Sequence, residues 1–209
     1  MIVYMVTKMM PTFDFFLDKN IFSLQNFVVH DGNRIAFEFV TTGSVIENNV
    51  FLITGAKGSG KTYLCEIWKK INNGRNKFVM EDIEKTFNRN DLFYHESEER
   101  LLHYINNIIE QKGILLITST KLVNEFNFDL PDLQSRFRNI YNIIIENFDA
   151  DIKKQILLKL LNDKQLNLSN GIIDYIANNS RNDYESIINV VEKINRIDKI
   201  NIANIKKIL

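Results

Sequence analysis

The feature that most constrains this sequence is the glycine-rich stretch GAKGSGKT at residues 55–62. An apolar run at 49–54 predicts a buried strand directly before it, and residues 62–72 predict a helix directly after it. Glycines let backbone N–H groups close around phosphate oxygens, and the positive end of the following helix points at the same place. This context distinguishes a phosphate-binding loop from a glycine-rich turn that arises by chance.

The loop predicts a site for a nucleoside diphosphate or triphosphate with Mg²⁺. Lys61 is expected to reach the β- and γ-phosphates, and the Thr62 hydroxyl is expected to hold Mg²⁺. The choice between diphosphate and triphosphate as the working ligand stays open. The predicted ligand-contacting residues of the loop are Gly55, Lys57, Gly58, Ser59, Gly60, Lys61 and Thr62.

Strand and helix patterns alternate up to residue 148 and only helical patterns follow. Further buried strands are predicted at 77–80, 113–119 and 141–145, and a second amphipathic helix at 97–112. Such alternation forms a parallel sheet with helical crossovers. Helices are predicted at 152–162, 171–178, 183–193 and 201–209. The predicted fold is α/β, with an N-terminal segment at 1–19, a nucleotide-binding core at 20–148 and a small α-helical lid at 149–209.

Charge and composition narrow the class of protein. The 26 basic and 26 acidic residues cancel, so the basic excess that accompanies binding to duplex DNA is missing, and no sequence-specific DNA binding is expected. A single cysteine, Cys65, rules out an internal disulfide and fits a reducing compartment. No apolar run reaches the roughly 20 residues of a membrane helix, and the apolar residues 1–10 have no cleavage site. We therefore expect a cytoplasmic protein without a membrane partner.

Two carboxylates follow the predicted strand at 77–80. Glu81 is expected to hold Mg²⁺ through water, and Asp82 to orient the attacking water. Aspartate is more usual at the metal position, so the longer Glu81 side chain is a departure. Two solvated acids at the end of a strand are the alternative interpretation of this pair.

A more specific pattern is LPDLQSRF at residues 130–137. With it, the chain resembles the ATPase module of the DnaA/Hda branch of AAA+ proteins, and the Hda members most closely. The resemblance covers residues from about 20 to the C terminus. It includes the stretches at 26–36, 55–62, 78–82, 115–120, 130–137 and 201–209.

The resemblance implies roles for particular residues. Val28, Val29 and Thr120 are expected to contact a bound ATP or ADP, and Arg136 to be an arginine finger that acts in trans on a neighbouring subunit. Together with Lys61, Glu81 and Asp82, Arg136 completes the expected catalytic set. From the residues alone, an arginine after a Pro-Asp turn is more typical of a surface charge.

The sequence also departs from the family pattern. It stops where the lid ends, so the helix-turn-helix domain of DnaA is expected to be absent. Glu185 falls where the family places its sensor II arginine, and a carboxylate there would repel a γ-phosphate. Only residues 73–77 lie between the helix after the loop and Phe78, where relatives fit another strand and helix, which predicts a trimmed sheet.

Near the N terminus, a short aromatic stretch resembles the peptide with which Hda proteins bind the sliding clamp. It consists of Thr12, Phe13, Asp14, Phe15 and Phe16. An aromatic strand packed on the core is the alternative, and the sequence leaves both open.

The resemblance implies an Hda-like regulator of replication initiation that binds adenine nucleotide and has DnaA and the sliding clamp as partners. It would stimulate ATP hydrolysis by DnaA and have little or no turnover of its own. One alternative is an AAA+ ATPase that remodels or loads another replication protein. A small P-loop kinase is the other, although its loop usually lies nearer the N terminus. Self-association is also left open.

Overall fold

The computed structural model describes residue 24 and residues 27–42, 49–71, 76–85, 94–197 and 200–209. The predicted clamp-binding peptide at residues 12–16 lies outside them. The described residues form a sheet of four strands: β1 (Val50–Gly55), β2 (Lys77–Met80), β3 (Ile114–Ser119) and β4 (Tyr141–Ile145). Their order across the sheet is β2-β3-β1-β4, and each neighbouring pair is parallel. The predicted α/β fold with a parallel, trimmed sheet is confirmed.

Helices cover both faces of this sheet. They are α1 (Arg34–Thr42), α2 (Lys61–Lys70), α3 (Tyr94–Glu110) and α4 (Pro131–Arg138). Because successive strand residues point to opposite faces, Phe51 and Ile53 belong to the core with α1 and α2, whereas Leu52 belongs to the core with α3 and α4. Burial on both faces explains why the central strands read as unbroken apolar runs.

Helix α1 was not predicted from the sequence. Its last residues, Val40, Thr41 and Thr42, are β-branched and disfavour a helix. The helix forms because His30 and Asn33 fold into a turn before it, where Asn33 Oδ1 accepts a hydrogen bond from the His30 N–H at 2.9 Å. Burial of Ala36, Phe39 and Val40 then offsets the poor local preference.

Four further helices follow the sheet; the first three lie within two residues of the predicted bounds, and the last is shorter than the helix predicted at 201–209. They are α5 (Ala150–Asp163), α6 (Asn170–Asn179), α7 (Tyr184–Asn195) and α8 (Ile202–Ile205). Side chains cap three of them: Asp149 accepts from Ile152 N, Asp183 from Ser186 N, and Asn201 from Asn204 N. The apolar faces of α5, α6 and α7 join the core that lies beneath α1 and α2. In the described part of the chain, no helix combines the length and apolar character needed to cross a membrane.

Candidate nucleotide site at the carboxyl edge of the sheet

The phosphate loop leaves the carboxyl end of β1 in a conformation that requires glycine. Gly58 and Gly60 have φ values of 77° and 99°, which side chains rarely adopt. At Gly55 space is the constraint, because a Cβ there would lie 2.7 Å from Ser59 Oγ and 3.0 Å from the Ile145 carbonyl oxygen. The loop predicted from the sequence is therefore built as a phosphate cradle requires, with α2 starting at Lys61.

The side chain of Lys61 lies inside this loop and is only 6% exposed. Its Nζ donates hydrogen bonds to the carbonyl oxygens of Gly55 at 2.7 Å and Ala56 at 2.8 Å. Burial lowers the pKa of Lys61, and the carboxylates of Asp82 and Glu84 oppose that shift. The loop thus holds a partly desolvated cation at the amino end of a helix.

The hydroxyl of Ser59 tests whether these residues fit a phosphate group. Ser59 Oγ is buried, and no hydrogen-bond partner reaches it within the part of the chain that the structure describes. A phosphate group could accept a hydrogen bond from this hydroxyl and pair with the buried ammonium group of Lys61. The three glycines of the loop leave room for it to approach the backbone. These residues therefore fit a phosphate. Thr62 is exposed in the first turn of α2, as a side chain that contacts Mg²⁺ needs to be.

The carboxylates predicted at this edge lie directly after β2. The backbone N–H of Asp82, which has a φ of 51°, donates to Thr118 Oγ1 on β3 at 3.0 Å. Glu81 Oε1 is 3.5 Å from Lys69 Nζ. Of the two carboxylates, Asp82 also does more to raise the pKa of Lys61. Asp82 is therefore the carboxylate of this pair more closely coupled to the phosphate loop.

A third carboxylate, Glu84, was missed from the sequence. Its Oε1 accepts hydrogen bonds from the Thr120 backbone N–H at 2.9 Å and from Thr120 Oγ1 at 2.6 Å. Although burial acts to raise it, these hydrogen bonds hold the pKa of Glu84 below its ordinary value. Thr120, an expected nucleotide contact, thus has its hydroxyl engaged by Glu84. The available signal was the spacing EDIE, which places another acid three residues after Glu81.

An aromatic cluster lies beside Val28, one of the two residues expected to frame the adenine. Phe27 lies parallel to Tyr184 with ring centroids 5.6 Å apart, and the edge of Phe148 meets Tyr184 at 5.4 Å. Tyr184 is 5% exposed, and its hydroxyl donates to the carbonyl oxygen of Val28 at 2.8 Å. Burial raises the pKa of Tyr184. Of the two residues expected to frame the adenine, Val28 is half-buried beside this cluster and Val29 is exposed.

The start of α7 rests directly on the phosphate loop. The Tyr184 backbone N–H donates to the Gly58 carbonyl oxygen at 2.8 Å. A Cβ at Gly58 would overlap Asp183, whose Cγ would be 2.9 Å away, and a Cβ at Gly60 would be 3.4 Å from the Tyr184 ring. The carboxylate beside the loop is therefore Asp183, at the start of α7, whereas Glu185, expected there, is exposed on α7.

Arg136 is exposed on α4 at the opposite end of the sheet from the loop. It lines a pocket with Asn49 and Val50, the residues at the start of β1. Because β1 rises about 3.3 Å per residue, its start lies about 16 Å from Gly55. The structure does not bring Arg136 to the chain's own phosphate loop.

Among the described residues, no group of three or more His, Cys, Asp or Glu side chains could hold a metal ion.

Comparisons with known proteins agree with this architecture. No family model matches the sequence. The chain is 26% identical to the chromosomal replication initiator protein DnaA of Wolinella succinogenes, across 83% of this chain and 47% of that protein. A DnaA of Campylobacter fetus subsp. fetus matches at 26% identity, across 86% of this chain and 49% of the relative. The chain therefore spans about half the length of the curated relatives it matches.

Solved structures show the same fold. Domain III of DnaA from Thermotoga maritima superposes with a TM-score of 0.71 at 16% identity, covering 90% of this chain and 95% of the domain. AMPPCP-bound DnaA from Aquifex aeolicus superposes with a TM-score of 0.67 at 19% identity, covering 88% of this chain and 67% of that one. The chain is thus similar to DnaA in sequence, and its described residues have the α/β fold of a DnaA-like AAA+ domain.

Proposed function

We propose that the chain binds adenine nucleotide with Mg²⁺ at residues 55–62 and regulates replication initiation in the manner of Hda. In this role it binds DnaA and the sliding clamp in the cytoplasm, and it presents Arg136 to the ATP held by DnaA. The similarity to DnaA supports a role in replication initiation. That DnaA structures of the same fold are bound to AMPPCP supports a nucleotide ligand.

The observation that carries this proposal is the separation of Arg136 from the phosphate loop. Arg136 lies beside the start of β1, and the loop follows its end. An exposed arginine in that place can stabilise charge only on a second molecule, where a planar guanidinium suits a phosphoryl group. The arrangement supports action in trans, on a partner's nucleotide.

Within the chain, other residues bind its own nucleotide. Lys61 and the loop amides would hold the phosphates, Thr62 would contact Mg²⁺, and Glu81 or Asp82 would complete that contact through water. Bound Mg²⁺ would neutralise part of the phosphate charge. The carboxylate of Asp183 beside the loop acts in the opposite direction, because it repels the phosphates, and we therefore expect slow ATP hydrolysis by the chain itself.

The experiment measures phosphate release from ATP-loaded DnaA of the same organism. Wild-type protein should accelerate phosphate release. If Arg136 acts as an arginine finger, which contributes about 10³- to 10⁵-fold to the rate, Arg136→Ala should lose this acceleration. Arg136→Lys should not restore it, because a point charge cannot reproduce the planar fork. Arg138→Ala is the matched control, since Arg138 is also exposed at the end of α4. Equal stimulation by all four proteins would exclude the finger.

The clamp is tested separately, because its expected binding residues, 12–16, lie outside the described residues. Deleting residues 1–18 should abolish co-elution with the clamp if this segment is the binding peptide. Retained co-elution, or loss of folding in the deletion, would instead assign the segment to the core.

One observation favours a second candidate, an AAA+ ATPase that remodels or loads a replication protein. Asp82 and Glu84 both raise the pKa of Lys61, and Thr120 bonds Glu84, an arrangement that hydrolysis by the chain itself could use. Turnover that rises with protein concentration and falls in Asp82→Asn would favour this candidate. Low turnover at every concentration would favour the adaptor.

A further inference from the structure

Two residues at the start of α7, Asp183 and Tyr184, contact the phosphate loop, and Tyr184 also contacts Val28, which is expected to frame the adenine. At the phosphate end, Asp183 lies against Gly58, and the Tyr184 backbone N–H bonds the Gly58 carbonyl oxygen. At the base end, the Tyr184 hydroxyl bonds the carbonyl oxygen of Val28, and its ring lies along Phe27. We propose that Asp183 and Tyr184 form a latch that closes the lid on the site and competes with nucleotide for it. This inference rests on the proposed nucleotide binding.

The geometry explains why the latch would compete rather than merely support the fold. Gly58 has a φ of 77° and belongs to the phosphate cradle, yet the side chain of Asp183 fills the space beside its Cα. Asp183 is fixed there, because Oδ1 accepts from Ser186 N and Oδ2 from Ser186 Oγ, each at 2.7 Å. A phosphate chain held beside Gly58 would therefore lie near a fixed carboxylate, and the repulsion would grow with the charge of the phosphate chain.

Two equilibria are then linked. Nucleotide binds the open lid, so its apparent affinity falls by the fraction of molecules in which the latch is closed. The Asp183 charge adds a second effect, which opposes ATP more than ADP and does not act on adenosine. The latch thus sets both the affinity of the site and its preference for the less charged nucleotide.

Substitutions separate these effects while preserving the fold. Tyr184→Phe keeps the ring and removes the hydroxyl with its bonds to the Val28 carbonyl oxygen and the Asn33 side chain, so affinity for ADP and ATP should rise equally, by about two- to tenfold. Asp183→Asn keeps a helix-capping side chain and removes the charge, so affinity for ATP should rise several-fold more than affinity for ADP. Adenosine affinity should not show this difference. Glu185→Gln removes the same charge from an exposed neighbour and should change the ATP-to-ADP ratio less.

Calorimetry with ATP, ADP and adenosine measures these affinities. Amide exchange of Tyr184 gives an independent readout, because nucleotide should break its bond to Gly58 and speed its exchange. Binding by wild-type protein with unchanged affinities in Tyr184→Phe and Asp183→Asn, or with the Tyr184 amide still protected, would refute the latch and leave nucleotide binding intact. No binding by any of these folded variants would refute both.

Discussion

The two sides of the candidate site are built in different ways. The loop side is one continuous stretch, residues 55–62, whose glycines and Lys61 present backbone and charge. The lid side gathers aromatic rings that lie far apart in the sequence: Phe27 before the sheet, Phe148 after it and Tyr184 in the lid. The loop side therefore depends on local conformation and the lid side on tertiary packing.

This difference separates what each side contributes. Lys61 bonds to carbonyl oxygens of its own loop, so we expect its charge to contribute mainly to the binding of an anion. Phe27 stacks between Phe37 and Tyr184, with ring centroids 5.5 and 5.6 Å away. We therefore expect Phe27 to contribute mainly to stability, through the buried contact between core and lid. We expect substitutions on the lid side to change stability most, and substitutions on the loop side to change binding most.

The largest effect is expected at Phe27. Phe27→Ala should lower the free energy of unfolding by about 3–5 kcal/mol, because it removes a fully buried ring and leaves a cavity. Chemical denaturation measures this change. Phe27→Leu is the control, since it keeps apolar volume and loses only ring stacking, and it should cost less than about 1.5 kcal/mol. Similar small losses for both variants would mean that the aromatic cluster does not hold the lid.

Lys61 should show the opposite pattern. Lys61→Ala should weaken adenine-nucleotide binding by about 10- to 100-fold, because charge-assisted hydrogen bonds to phosphate are lost. Its free energy of unfolding should change by less than about 1 kcal/mol, since lost hydrogen bonds and relieved burial of charge offset one another. Calorimetry and denaturation of the same sample measure both values. Lys70→Ala, an exposed position at the other end of α2, is the control. Unchanged nucleotide affinity in Lys61→Ala would remove the loop from the binding site.

The same difference decides what the sequence could predict. All four strands were predicted to within a residue or two. In the central strands β1 and β3, burial between two helical layers leaves an unbroken apolar run. The edge strands β2 and β4 are apolar as well, although they are only partly buried. The phosphate loop was equally clear, since its function needs particular residues at fixed spacing. Helix α4 was expected as a Pro-Asp turn, although Pro131 in its first turn is itself a helix-start signal.

The lid contacts could not be predicted in the same way. The sequence placed Asp183 at the start of a predicted helix and Glu185 where the family has its sensor II arginine. Which of them faces Gly58 depends on how α7 docks, and that depends on Tyr184 packing between Phe27 and Phe148. The hydrophobic periodicity of one segment predicts the helix or strand that it forms, but it does not predict contacts among three segments that lie far apart in the sequence. Glu84 was missed for a similar reason, because its partner Thr120 follows a different strand.

The smallest effect is expected at Glu84, which tests whether the loop side has any packing role. Its hydrogen bonds with Thr120 hold the pKa of Glu84 below its ordinary value, so the folded protein keeps this carboxylate ionised where the unfolded chain begins to take up a proton. The stabilisation is therefore present above the ordinary glutamate pKa of 4.5 and is lost as the pH falls through the folded pKa.

Glu84→Gln should therefore lower the free energy of unfolding at pH 7 by less than about 1 kcal/mol, because the Glu84 side chain is only partly buried and solvent screens its charge. The difference between wild type and Glu84→Gln should shrink as the pH falls from 7 to 4. Denaturation at both values measures it, and Glu99→Gln, an exposed acid on α3, should show no such trend. A loss at pH 7 of several kcal/mol would place Glu84 among the packing residues and weaken the contrast between the two sides. A difference that widens toward pH 4 would mean that the Thr120 hydrogen bonds do not favour the ionised form.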